Sequence, residues 1–154
     1  MNNIIELLNE KKSLFTEYKQ VLITMLDCQP EYMPDYSNEL NTLKEKINII
    51  DNEIKKQCEF MGQTGEEILL DIKNKSNREN LDEDRKLIYD LSQSIYNIIA
   101  SMNSLIEQIT LRAKQNMNET MEKIKSLTDT GKGIKYLKAV DSSFAKGTFL
   151  NLKK

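Results

Sequence analysis

The sequence predicts an all-α protein. The expected architecture is an antiparallel helical hairpin packed on one long C-terminal helix, an elongated bundle of three to four helices with a flexible basic tail. Three observations predict it. Apolar residues recur at spacings of three and four along most of the chain, the signature of amphipathic helix. Glycine and proline are scarce, 5 and 2 in 154 residues, and both prolines fall within Pro30–Pro34, so the helices must be few and long. No segment shows the apolar–polar alternation of a half-buried strand.

The first helix is expected from about Asn3 to Asp27. Ile4, Leu8, Phe15, Tyr18, Leu22 and Met25 fall on one seam, with Lys11 the single polar interruption, and Leu7, Leu14 and Val21 widen the stripe to that of a bundle helix. Pro30 and Pro34 end it, because the residue before a proline avoids the α region. Asp35 or Ser37 is placed to cap a second helix over about Asp35 to Met61. Its apolar line is Leu40, Leu43, Ile47, Ile50, Ile54, Cys58 and Met61. A short connection makes these two helices antiparallel neighbours. Gly62 and Gly65 read as breaks, and Ile68, Leu69, Leu70 and Ile72 make Glu66–Lys73 a short apolar helix covering one end of the hairpin.

The polar run Asn74–Asn80 reads as a loop, and Leu81 with Asp82, Glu83 and Asp84 as the acid-rich start of the last helix, where negative charge meets the positive end of the dipole. From Leu87 to Leu127 a single stripe runs through Ile88, Leu91, Ile95, Ile98, Met102, Leu105 and Ile109, then Ala113, Met117, Met121 and Ile124. Such a helix is roughly 60 Å long, against about 40 Å for a 25-residue partner. Part of its apolar face must therefore meet something other than its own hairpin. The stripe divides near Ile109: the first part has hairpin partners, and the second holds the candidate partner-binding residues Met117, Met121, Ile124 and Leu127. Methionine suits an apolar surface that adapts to its partner. The helix is expected to stop at Gly131 and Gly133, leaving 1–130 as the bundle domain and 131–154 as the tail.

Composition narrows function. There is no histidine, which removes the commonest general base and metal ligand. Cys28 and Cys58 end the first and second helical patterns, at opposite ends of a hairpin and roughly 30 Å apart by helix rise, so both are expected to be reduced and structural. Net charge is −2, yet residues 131–154 hold six lysines against one acid, and residues 1–130 accordingly carry −7. That balance points to an acidic partner or a tail folded onto its own body. The tail lacks arginine and the chain as a whole is acidic, so nucleic acid is not the expected partner.

No apolar run reaches the length of a membrane span, and the N-terminus does not read as a signal peptide, so a cytoplasmic protein is expected. Glu66 with Glu67, and Asp82 to Asp84, read as solvated helix starts rather than metal sites. Gly131-Lys132-Gly133 lacks the first glycine and the hydroxyl residue of a phosphate loop, and Asn118-Glu119-Thr120, a glycosylation sequon by pattern, lies inside a helix. No cofactor, no metal and no enzymatic activity are expected.

The order of parts resembles the flagellar type III export chaperones of the FlgN/FliT type. The likeness rests on the helical hairpin, the glycine break Met61-Gly62-Gln63-Thr64-Gly65, the short helix Glu66–Lys73, and the long helix with Ile98-Ile99-Ala100-Ser101-Met102-Asn103-Ser104-Leu105-Ile106 at its centre. A tail with Tyr136 and the closing Phe149-Leu150-Asn151-Leu152-Lys153-Lys154 completes it. The resemblance implies a cytoplasmic chaperone that holds hook–filament junction or cap proteins before export. It implies a cargo face on the C-terminal part of the long helix, and Tyr136 as a contact with the export gate. The alternatives are a structural coiled coil that homodimerises through the long helix, and an adaptor that binds an acidic partner through the basic tail.

Overall fold

The computed structural model describes residues 1–127, so the basic tail 131–154 and Tyr136 lie outside the described residues. Among the described residues four helices follow one another: α1 (Asn2–Asp27), α2 (Met33–Phe60), α3 (Gln63–Ile72) and α4 (Glu83–Leu127). Short 3-10 turns at Pro30–Tyr32 and Arg78–Asn80 punctuate them. Among the described residues there is no strand, and no helix is long and apolar enough to cross a membrane. The protein is an all-α bundle with one long C-terminal helix, as the sequence predicts.

The core has two parts that together fix the helix directions. One joins Ile4 and Leu8 of α1, Ile50, Ile54 and Cys58 of α2, Ile68 of α3, and Ile88, Leu91 and Ile95 of α4. The other joins Tyr18, Val21, Leu22 and Met25 of α1, Met33, Leu40, Leu43 and Ile47 of α2, and Met102 and Ile109 of α4. The start of α1 thus meets the end of α2 and the start of α4, so α2 runs antiparallel to α1 while α4 runs parallel to it. Each such side chain, fully buried, contributes about 1.5–3 kcal/mol. Lys11, the polar interruption of the α1 seam, reaches across the hairpin to Asp51 at 2.5 Å and lies over the Phe15 ring, 5.9 Å from its centroid. Its stem covers apolar surface while its ammonium stays at the edge.

Two boundaries, the role of Gly65 and the contact line of α4 differ from the sequence reading. α2 starts at Met33, with Tyr32 at its N-cap and no side-chain cap, so neither Asp35 nor Ser37 caps it. Pro34 sits in the first turn, where its missing N–H costs nothing, and Met33 is buried beneath it in the core. α3 starts at Gln63, three residues before the expected Glu66. Gly62, with φ +61°, makes the turn, whereas Gly65 lies inside the helix against the Cys58 backbone, where a Cβ would collide with the carbonyl. Gly65 is therefore a crossing point, not a break. Along α4, Ile98 belongs to neither core cluster, whereas Ile99, Leu105 and Ile106, half-buried as it is, pack against the core. A straight helix drifts about 20° per heptad from a 3.5-residue stripe, which moves the contact line sideways.

Polar contacts tie α3 to α4. The Arg85 guanidinium donates to both oxygens of Asp71, at 2.6 and 3.1 Å, and to Glu67 at 2.6 Å. Asp71 is fully buried, and its hydrogen bonds are the first cause of a raised Arg85 pKa. Asp82 Oδ1 accepts the Arg85 N–H and opens α4, and Arg78 clamps Asp90 through two 2.7 Å bonds.

Candidate functional site

The last third of α4 projects beyond α1. The C-terminal carbonyls of a helix have no intrahelical donors. Here the Arg112 guanidinium donates to the carbonyl oxygens of Leu26 and Cys28 at the end of α1, where a cation also complements the dipole. Arg112 is thereby level with the end of α1. At about 1.5 Å per residue, the segment from Ala113 to Leu127 runs roughly 22 Å past it. Ile109 is the last buried residue of α4, and Ala113 packs on the core from its edge.

Beyond that point Met117, Met121 and Ile124 are half-buried and belong to neither core cluster, and Leu127 is 81% exposed. At about 100° per residue, Ala113, Met117, Thr120 and Ile124 stack along one line that continues the core face of α4. Met121 and Leu127 lie to either side of it. Of the five residues singled out from the sequence, four thus share this segment, and the fifth, Tyr136, lies outside the described residues.

The sequence reading missed three participants. Thr120 sits in the middle of the face, half-buried, with its hydroxyl donating to the Asn116 carbonyl at 2.8 Å. Asn116 borders the same face, and its Nδ2 is enclosed without a hydrogen-bond acceptor. A buried donor left unmade costs about 1–3 kcal/mol. Spacing could have found both, since they lie at three and four residues from Met117, Ala113 and Ile124. The third is Arg112, which sets where the core ends; one arginine on a polar helix flank carries no signal of a tertiary role.

Burial raises the pKa of both free thiols, Cys28 and Cys58, and so keeps them protonated and poorly nucleophilic at neutral pH. Burial pushes the Tyr18 phenol up to about 12. Among the described residues no group of Cys, Asp and Glu is arranged to hold a metal ion. What the segment 113–127 offers is an adaptable apolar strip. Compared with known proteins, the chain matches no family model, no curated protein and no solved structure.

Proposed function

We propose that this protein is a binding protein rather than an enzyme: a cytoplasmic export chaperone of the FlgN/FliT type. In this reading it takes amphipathic helices of hook–filament junction or cap proteins onto the Met117–Leu127 face and keeps them soluble and unpolymerised before secretion. Tyr136 is its candidate contact with the export gate. The observation that carries the reading is the apolar strip of α4 running past Arg112, outside both core clusters. The order of parts, a hairpin, a glycine turn, a short helix and a long one, supports the family.

The mode is helix-in-groove recognition with anchors three and four residues apart. Full burial of such a side chain yields about 1.5–3 kcal/mol. Anchors that are already half-buried gain roughly half of that, and association itself costs about 4–15 kcal/mol. The strip alone therefore supports reversible rather than permanent capture, which suits a carrier that must release its cargo.

Co-expression with the junction and cap proteins of the same cell tests the reading. The expected result is co-elution of one of them with the wild type and not with the variant M117S/M121S/I124S. Co-elution that survives in the variant, or is absent from the wild type for all candidates, overturns it.

A further inference from the structure

The charges around the strip define the kind of helix it receives, an inference that rests on the docking function above. Taking Ala113, Met117, Thr120 and Ile124 as the centre line, at about 100° per residue, Lys114 and Lys125 fall on one flank beside Met121. Lys123 falls on the other, beside Asn116. Of the acids of the same segment, Glu122 falls at the back of the helix, while Glu119 lies on the flank of Lys123, about 40° behind it. Lys114, Lys123 and Lys125 are all exposed, and none takes part in an ion pair among the described residues, although Glu119 stands four residues before Lys123. The charges nearest the apolar line are thus lysines on both flanks, with one carboxylate behind Lys123, a rim of predominantly positive sign.

We infer that the occupant of the Met117–Leu127 face is an amphipathic helix whose own apolar stripe is bordered by Asp and Glu. Charge argues against the other two occupants. A second copy sets lysine borders against lysine borders. Residues 131–154 carry six lysines and one acid, which brings like charge to the same rim. Like charges facing each other destabilise an interface, whereas complementary rims speed encounter and select partners.

The test uses the full-length protein and two fluorescein-labelled synthetic helices of roughly 20 residues, long enough to hold helical structure. Both carry the same Leu and Met stripe; one is bordered by Glu and the other by Lys. Anisotropy titration is expected to show the Glu-bordered helix binding about tenfold more tightly, the sum of three exposed charge pairs. The preference disappears near 1 M NaCl, where the Debye length is about 3 Å. The variant K114E/K123E/K125E reverses it. Equal binding of both helices, lost in M117S/M121S/I124S, overturns the charge selection and leaves the docking face standing. Binding of neither helix overturns both. A concentration-dependent dimer that the triple-serine variant abolishes assigns the face to a second copy. Binding that appears only after deletion of residues 128–154 assigns it to the chain's own end. Either outcome overturns an acidic partner as the occupant.

Discussion

Gly65→Ala places two opposed effects on one atom. In an isolated helix, alanine is favoured over glycine by about 1 kcal/mol, so α3 by itself would gain from the change. In the bundle, the new Cβ lands on the backbone of Cys58, overlapping its carbonyl oxygen and carbon and lying 2.8 Å from its Cα. Overpacking in a core costs typically about 1–3 kcal/mol. Here the obstruction is backbone rather than a movable side-chain tip, so the upper end applies. The clash wins, and the net loss is about 1–2 kcal/mol of unfolding free energy in urea.

The same substitution has a local readout. Cys58 is 1% exposed beneath α3, so lifting α3 away frees its thiol. In a Cys28→Ser background, reaction of Cys58 with an aromatic disulfide reagent is expected to quicken by an order of magnitude or more, since each 1.4 kcal/mol of opening is a factor of ten. Gly62→Ala is the contrast. It meets nothing within 4 Å, but its φ of +61° is costly for any side chain, so its loss comes from the turn and not from a clash. A Gly65→Ala protein as stable as wild type, with Cys58 still protected, would refute the close crossing of α2 and α3.

The buried Arg85–Asp71 pair and the Tyr18 phenol give two further tests. Asp71→Ala leaves a guanidinium that is 20% exposed with only Glu67 as its partner, so the loss falls at or below the low end of the 3–5 kcal/mol range for broken buried pairs. The double variant D71L/R85M is expected to melt above Asp71→Ala, because it removes both charges together. Tyr18 keeps its proton in the fold up to about 12, against 10.0 when unfolded. Between those values the unfolded chain binds fewer protons, so stability falls as pH rises, by up to about 1.4 kcal/mol per pH unit. Tyr18→Phe removes that part of the slope, and urea melts at pH 9 to 11 on the two proteins read the difference.

Helix content and order were legible because few residues interrupt the periodicity. What was not legible depended on contacts between elements. Gly65 looks like a break in one dimension, since only the α2–α3 crossing gives it a reason to sit inside a helix. Asp71 looks like a surface acid until Arg85, fourteen residues on, is folded against it. Pro34 looks like a stop when read alone, yet it belongs to the first turn of α2. On α4 the apolar count favoured Met117, Met121 and Ile124 and passed over Thr120 and Asn116, because a half-buried threonine has the composition of a surface. The end of the core near Ile109 was visible as a mismatch of helix lengths, and Arg112 is the residue that fixes it.

The central claim is that α4 beyond Arg112 carries binding and not folding. The most direct measurement is the unfolding free energy of M117S/M121S/I124S beside its helix content by circular dichroism. Core positions of this kind lose about 2–5 kcal/mol each on truncation, so three of them would unfold a typical domain of 5–15 kcal/mol stability. The expected result is a helical protein whose unfolding free energy lies within about 2 kcal/mol of wild type, the allowance for three half-buried side chains and serine's weaker helix propensity. Loss of more than about 5 kcal/mol, or collapse of the melt, would place the face inside the core and contradict the claim.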